Sequence, residues 1–388
     1  MSQRSLISTI ILLTPFVFCF AFAMDIYIPV VPEIKQYFHT TQGMIQLTLS
    51  LFMFAAGAGQ LVLGPITDQY GRKPVLLCAI ISFMIGSLCC ALAPNLSVLM
   101  LGRLIQSLGG CGMLVATFAC VRDQFSGKDS AKVYSFLNCG IAISPLFAPI
   151  IGSYLGAWFN WRAEFIFLVL LSLPIFLIGL TQIQESLPKE KRIRFDIHIF
   201  QRYGQILTNR TFYTYVICTT AGMTLFFVFF SSSPYIIIKL LHVPVTHFGY
   251  YFFLVGFTFF IGSLISGKVA HFWGAYYTTL FGTALMLVAG VLMVGWFLLT
   301  GLNSLQYLIP SMLAGIAGAF MMGAGVSGAM EPFGVMAGTA AALNGCLQLA
   351  VSALIGSWVM HWPVTSTNPF ALTIIISSCV GLIALWRL

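Results

Sequence analysis

Charged side chains are scarce in this sequence, and acidic ones are scarcest. Only 7% of the 388 residues are Asp, Glu, Lys or Arg, and ten of them are acidic. Globular domains average about 25% charged residues, whereas 59% of this chain is hydrophobic and its mean hydropathy is +0.96. So few charges exclude a water-soluble surface over most of the protein.

Metal-binding, disulfide and catalytic patterns are also missing. The ten cysteines and six histidines are scattered, with no C-x-x-C pair. We therefore expect reduced cysteines in the interior, no bound metal and no cofactor. There is no nucleophile elbow or phosphate-binding loop, and the longest polar stretch, residues 184–209, has 26 residues. The sequence therefore does not predict an enzyme or a receptor with a soluble domain.

Long uncharged runs recur from one end of the chain to the other. A helix that crosses a bilayer needs roughly 20 apolar residues, and these runs lack the alternation of barrel strands. The sequence therefore predicts an all-α polytopic membrane protein with twelve transmembrane helices. The predicted spans are residues 6–30, 43–66, 75–93, 97–121, 130–156, 163–183, 210–239, 247–270, 276–299, 306–329, 338–361 and 369–387. The first run resembles a signal peptide at Arg4 and Ala21-Phe-Ala23, but its length favours a retained helix.

Basic residues are distributed unevenly over the predicted loops. With the N-terminus inside, 14 of the 18 Lys and Arg residues fall in cytoplasmic loops or tails, and only Lys35, Arg162 and Lys239 fall outside. Basic residues concentrate on the cytoplasmic side of membrane proteins, so both termini are predicted to be cytoplasmic. The net charge of +8 then reflects topology, and we expect no nucleic-acid partner.

The basic stretch 184–209 divides six spans from six. It predicts an N-terminal six-helix bundle at 1–183, a cytoplasmic linker at 184–209 and a C-terminal six-helix bundle at 210–388. The segments Gly59–Gly71 and Gly262–Gly274 share glycines at three offsets, six helices apart. Duplicated halves with a site at their interface are typical of secondary transporters.

Asp25 is the only charged residue between Leu6 and Val30. An ionised Asp at mid-membrane costs about 2.5–3.5 kcal/mol, so it normally faces a partner or a watery cavity. Desolvation favours its neutral form and a nearby cation its ionised form, so such a group can bind and release a proton. We predict that Asp25 carries a proton and is exposed alternately to the two sides of the membrane.

Arg103 lies inside the fourth predicted span. At 1.5 Å per residue, Asp25 and Arg103 both lie roughly 9 Å below the outer surface. Equal depth allows them to pair if the first and fourth helices are neighbours. We predict that this pair couples protons to transport; alternatively, it only neutralises two buried charges.

The turn after the second span reads Gly64-Pro-Ile-Thr-Asp68-Gln-Tyr-Gly71-Arg72-Lys73-Pro74. It resembles the signature loop of the major facilitator superfamily, which implies two pseudo-symmetric six-helix bundles. The resemblance implies a conformational latch built from Gly64, Asp68, Gly71 and Arg72. In it, Asp68 lies near the start of the eleventh helix and Arg72 bridges to Asp123 at the end of the fourth. The alternative is a basic turn with no switching role.

Other motifs carry the same resemblance. Arg103 and Gln106 precede glycines, as in the superfamily's second motif. Pro145, Pro149 and Gly152 lie in a segment similar to the fifth-helix motif of antiporters, although Ala148-Pro149 replaces the usual Gly-Pro.

Two stretches narrow the resemblance to one branch of the superfamily. Met24-Asp25-Ile-Tyr27-Ile-Pro29 and Met330-Glu331-Pro332-Phe333 resemble the bicyclomycin- and chloramphenicol-resistance branch of drug:proton antiporters. This implies a monomeric transporter of the bacterial inner membrane that uses the proton gradient to export small hydrophobic drugs or metabolites. The alternatives are a dedicated exporter of one endogenous metabolite or siderophore, and a proton-coupled uptake symporter.

The substrate cavity is expected to include some of the polar residues within the spans. Each of these side chains alternatively forms a hydrogen bond between helices. The candidates are Gln106, Asn138, Asn344 and Gln348.

Overall fold

The computed structural model describes residues 6–125, 127–192, 199–362, 364 and 366–388, and within them the chain is helical without β-strands. The α-helices are α1 (Leu6–Asp25), α2 (Val31–Tyr37), α3 (Gln42–Tyr70), α4 (Arg72–Ala91), α5 (Leu96–Gln124), α6 (Gly127–Trp158), α7 (Arg162–Gln182), α8 (Ile199–Leu207), α9 (Arg210–Ser233), α10 (Val245–Thr300), α11 (Ser304–Met330), α12 (Ala337–Val359) and α13 (Asn368–Trp386). Parts of the predicted N-terminal bundle (1–5) and of the linker (193–198) lie outside the described residues.

The predicted twelve membrane crossings are confirmed. In the described part of the chain, eleven helical stretches are long and apolar enough to cross a membrane. One of them, α10, has 56 residues and contains two crossings, because Gly274 between them has non-helical backbone angles (φ 77°, ψ 171°). Each predicted span therefore coincides with one crossing.

Two crossings that were predicted as continuous helices are interrupted at prolines. α1 ends at Asp25, and a 3₁₀ turn at Ile28–Val30 joins it to α2. Pro29 has no amide hydrogen for the carbonyl four residues earlier. Likewise, α9 ends before Pro234, which begins a π-helical turn at Pro234–Leu240. The two turns contact each other, so irregular backbone from both halves meets at one end of the protein.

The connections alternate between two ends of the helix bundle. We call the end with the α3–α4 connection and the described part of residues 184–209 the linker end, and the end with Lys35, Arg162 and Lys239 the far end. The short helix α8, which the sequence analysis does not predict, lies at the linker end. There the Tyr203 hydroxyl donates a 3.3 Å hydrogen bond to the carbonyl of Leu61 on α3.

The internal repeat has a structural counterpart. Gly71 (φ 101°, ψ 163°) follows α3, and the matched Gly274 (φ 77°, ψ 171°) interrupts α10 at the corresponding turn of the second half. Positive φ is accessible to glycine at little cost. Asn95 and Asn303 cap α5 and α11 with nearly identical backbone angles, each accepting a hydrogen bond from the amide three residues later. Both pairs lie at equivalent places in the two halves.

Helices of each half pack mainly within that half. α1 packs against α5 and α6, and α9 packs against α11, α12 and α13. Between the halves, the main contacts join α3 to α12 and α6 to α10. The predicted boundaries at 183 and 210 fall at the end of α7 and the start of α9. The division of the chain into two bundles stays a prediction.

Between α6 and α10, the two halves are in contact at the far end and are separated toward the linker end. Near the far end, the hydroxyls of Tyr154 and Tyr250 lie 3.0 Å apart, and a Cβ added at Gly249 would overlap the backbone of Ile150. Gly267 lies five turns further along the same face of α10, and among the described residues no atom outside α10 lies within 4 Å of a Cβ built there. The face that meets α6 at Gly249 is therefore open at Gly267.

Candidate proton-coupling site and linker-end ion pairs

Asp25 is the last residue of α1, directly before the proline break, and is 3% exposed. The Ser144 hydroxyl on α6 donates a 2.6 Å hydrogen bond to its Oδ2. Among the described residues, no cation lies within ion-pair distance of this carboxylate. A buried carboxyl group that has a hydroxyl partner but no counterion is suited to hold a proton.

Arg103 on α5 is fully buried. Its Nη1 donates hydrogen bonds to the carbonyl of Ala23 (3.0 Å) and to Oε1 of Gln106 (2.8 Å). Its guanidinium carbon lies 4.2 Å from the ring centre of Phe52 and 4.6 Å from that of Tyr27. The Nε and Nη2 atoms have no hydrogen-bond partner among the described residues. The cation is thus held by aromatic rings and keeps two donors for a carboxylate.

The structure brings Asp25 and Arg103 to the same depth without pairing them. Arg103 bonds the carbonyl of Ala23, two residues before Asp25, so the first and fourth crossings are neighbours as the pairing requires. Asp25 is instead bonded to Ser144, a residue that the sequence analysis does not single out. The coupling role of the two residues stays a prediction.

A second buried acid, Glu164, is missing from the predicted site. It lies in the first turn of α7 and is fully buried, and within the described part of the chain neither carboxylate oxygen has a hydrogen-bond partner. Its only signal in the sequence is its position one residue inside the predicted span 163–183.

The predicted latch residues form a network at the linker end. Arg72 is 2% exposed; its Nη1 lies 2.6 Å from Oδ1 of Asp68, and its Nε lies 2.8 Å from Oδ2 of Asp123. Its Nη1 also donates to Oγ1 of Thr67 at 2.9 Å. The guanidinium therefore ties the end of α3 to the end of α5. Gly64 was also predicted to belong to the latch, but no atom of another described element lies within 4 Å of a Cβ built on it.

The linker and Arg122 extend this network beyond the prediction. The Arg72 amide donates a 2.9 Å hydrogen bond to Oε1 of Glu185, and a Cβ at Gly71 would overlap the Glu185 carboxylate. Arg122 lies 3.6 Å from Asp68, and its Nη1 lies 3.1 Å from where a Cβ of Gly338 would be. Arg122 therefore carries the contact from Asp68 to the first turn of α12, which belongs to the other half.

Two of the three predicted motif residues of α6, Pro145 and Gly152, lie where a neighbouring element approaches closely. α6 continues through Pro145 and Pro149. Pro145 lies against Gly256 of α10, and the Pro149 carbonyl accepts a 2.6 Å hydrogen bond from Ser153. A Cβ at Gly152 would overlap the carbonyl oxygen of Ile26. Gly152 thus allows α6 to pack against the break after Asp25.

The four candidate cavity residues differ in their surroundings. Gln106 is fully buried and links Arg103 to Ser87 through 2.8 Å hydrogen bonds, so it orients Arg103 instead of facing an open space. Asn344 accepts a 3.1 Å hydrogen bond from Thr219, and the buried Nε2 of Gln348 has no hydrogen-bond partner in the described part of the chain. Asn138 is exposed, two turns from Pro145 on the face of α6 that opens toward the linker end.

All ten cysteines are free thiols. Among the described residues, no three His, Cys, Asp or Glu side chains lie close enough together to hold a metal ion.

Comparison with known sequences identifies relatives along nearly the full chain. The family model for the Major Facilitator Superfamily matches residues 13–357. The chain is 31% identical to the chloramphenicol resistance protein of Pseudomonas aeruginosa, over 98% of this chain and 92% of the relative. It is 28% identical to the bicyclomycin resistance protein homolog of Haemophilus influenzae, over 92% and 90%. It is 29% identical to the multidrug resistance protein D of Escherichia coli, over 90% and 88%.

Solved structures share the fold at low sequence identity. The xylose transporter XylE from E. coli, in a partially occluded inward open conformation, aligns with a TM-score of 0.78 and 14% identity over 98% of this chain and 97% of that chain. A peptide transporter POT aligns with a TM-score of 0.80 and 11% identity over 99% and 95%.

Proposed function

The chain belongs to the major facilitator superfamily, and we propose that it is a proton-coupled antiporter that exports small hydrophobic compounds from the cytoplasm. The observation that carries this proposal is Asp25, a buried acid that accepts a hydrogen bond from a hydroxyl. Two residues before it, the Ala23 carbonyl accepts a hydrogen bond from Arg103, whose Nε and Nη2 have no partner among the described residues. Relatives named for resistance to chloramphenicol, bicyclomycin and multiple drugs support drug-like substrates. In this proposal the linker end is cytoplasmic, the bilayer is the bacterial inner membrane, and a monomer works without a cofactor.

The proposed cycle begins from a state that is open to the cytoplasm and closed at the far end. Here Asp25 is neutral, accepts the hydrogen bond from the Ser144 hydroxyl, and leaves Arg103 without a carboxylate. A compound entering from the linker end favours loss of that proton to the cytoplasm, because ionised Asp25 then pairs with Arg103. The halves rock to open the far end, the compound leaves, and a proton from outside neutralises Asp25 again.

The proton gradient supplies enough energy for this exchange. One proton that enters down a potential of about 100 mV contributes about 2.3 kcal/mol. At about 1.4 kcal/mol per tenfold change, this supports a concentration ratio of roughly fifty for a neutral compound.

Reconstitution tests the proposal. Purified protein in proteoliposomes should move labelled chloramphenicol or bicyclomycin against the direction of proton movement when a pH gradient is imposed. Movement in the same direction as protons would indicate a symporter and contradict the proposal. Export of a single endogenous metabolite, with neither antibiotic transported, would favour the dedicated-exporter alternative.

A further inference from the structure

Glu164 lies at the junction of α7, α6 and the break in α1. Two glycines of α6 make room for it: a Cβ at Gly152 would lie 3.1 Å from Oε1 of Glu164, and a Cβ at Gly156 would lie 3.9 Å from the same oxygen. The Gly156 position is equally close to Oε2 of Glu33 on α2. Glu164 therefore lies between Glu33 and the backbone of Ile26, the residue after Asp25.

The charged groups around Glu164 are few. Glu33 faces it from α2; this acid is partly exposed at the far end and its Oε1 accepts a 3.3 Å hydrogen bond from the amide of Trp161. Arg103 on α5 is the cation near it, and this side chain also donates a hydrogen bond to the carbonyl of Ala23, three residues before Ile26. Arg162, on the same helix, is turned toward the rings of Tyr37 and Trp161.

One buried cation and two buried acids therefore lie around the break in α1. In the part of the chain that the structure describes, the Nε and Nη2 atoms of Arg103 and both carboxylate oxygens of Glu164 have no hydrogen-bond partner. A carboxylate that is fully buried without a hydrogen bond is strongly unfavourable when ionised. A carboxyl group that holds a proton here, and pairs with Arg103 once it loses that proton, avoids this penalty in both forms.

We propose that Glu164 is a second proton-binding group of the transport cycle, which shares Arg103 with Asp25. This inference rests on the proposed antiport function. In the state open to the linker end both acids carry a proton. When Asp25 has released its proton to the cytoplasm, the O–H bond of Glu164 breaks, an O–H bond forms on Asp25, and ionised Glu164 pairs with Arg103. Asp25 then releases this second proton as well. Protons reload Glu164 from the far end past Glu33, which is partly exposed to water.

Proton counting tests the inference. Purified full-length protein in weakly buffered detergent, with a pH indicator, is titrated with chloramphenicol, and protons released per compound bound are measured. The wild type should release two. Glu164→Gln should release one, because the amide has nearly the same size but cannot ionise, and Asp25→Asn should release none. Glu331→Gln, which changes an exposed acid at the linker end, should release two.

Release of one proton by the wild type, or equal release by the wild type and Glu164→Gln, would overturn the second site. The wild-type count alone decides the matter if Glu164→Gln does not fold. A wild type that binds the compound without releasing any proton would instead refute the proposed antiport itself.

Discussion

Ser144 on α6 donates a 2.6 Å hydrogen bond to Asp25 at the end of α1. Both residues are buried, and the bond joins the helix that carries the proposed proton site to the helix that faces the other half. The state of Asp25 is therefore linked directly to the helix whose contact with α10 differs between the two ends of the protein.

Removal of this bond should slow proton-driven transport. Asp25 is neutral in this state, and a hydrogen bond between neutral groups contributes about 0.5–1.5 kcal/mol, so Ser144→Ala should reduce the initial rate of pH-driven efflux in proteoliposomes roughly two- to tenfold. Ser153→Ala is the matched control, because this buried serine of the same helix bonds only the carbonyl of Pro149 in its own helix. A similar loss in both variants would mean that packing of α6, and not the bond to Asp25, is responsible.

Arg72 should be required for the stability of the linker end. Its guanidinium is 2% exposed and pairs with both Asp68 and Asp123. Removal of one partner from a buried ion pair costs roughly 3–5 kcal/mol. Arg72→Ala should therefore lower the melting temperature in detergent markedly and abolish transport.

Two variants control for the loss of charge alone. Arg72→Lys keeps the charge but not the fork of donors, and should be intermediate. Lys73→Ala, whose ammonium group bonds only the carbonyl of Leu180 at the surface, should melt like the wild type. If Arg72→Ala also melts at the wild-type temperature, the ion pairs of Arg72 do not stabilise this state.

Closure of the far end should depend on the absence of a side chain at Gly249. A Cβ there would overlap the backbone of Ile150, so Gly249→Val should hold α6 and α10 apart and slow transport at least about tenfold. Gly295→Val is the matched control in the same helix, because no atom lies within 4 Å of a Cβ at that position. Equal rates for the two variants, measured at equal protein amounts, would contradict this role for the contact.

Tyr203 should make the attachment of α8 sensitive to alkaline pH. Burial, with a smaller contribution from nearby groups that include Asp68, raises the pKa of the Tyr203 hydroxyl to about 12. Because the pKa in the unfolded chain is about 10, the stabilisation is complete below pH about 10 and is lost as pH rises through about 12. Melting temperatures of the wild type and Tyr203→Phe should therefore converge or cross over this range. Parallel curves for the two proteins would show that the hydroxyl does not titrate in this way.

The crossings were predictable because run length and hydropathy decide which segments enter a bilayer. The interruptions after α1 and α9 were harder to predict, although each coincides with a proline, Pro29 and Pro234. A proline can also bend a helix without ending it, as Pro145 and Pro149 do in α6. Whether the helix ends depends on neighbouring backbone that accepts the freed hydrogen-bonding groups, and that is a tertiary property.

The partners of the candidate site were less predictable than its members. Asp25 and Arg103 stand out as charges in apolar runs, and their equal depth follows from counting residues. Their contacts depend on the rotation of α1, α5 and α6, which hydropathy does not reveal when every face of a helix is apolar. For this reason Ser144 was missed, and Gln106 was expected to line the cavity although it orients Arg103.

Gradient-driven accumulation by the Asp25→Asn variant tests the central claim most directly. Wild-type protein and the variant are reconstituted at equal amounts, a pH gradient is imposed with the membrane potential held at zero, and labelled chloramphenicol is followed to steady state. The wild type should concentrate the compound, whereas Asp25→Asn should only equilibrate it and should melt at the wild-type temperature. If Asp25→Asn still concentrates the compound against its gradient, Asp25 is not the proton carrier.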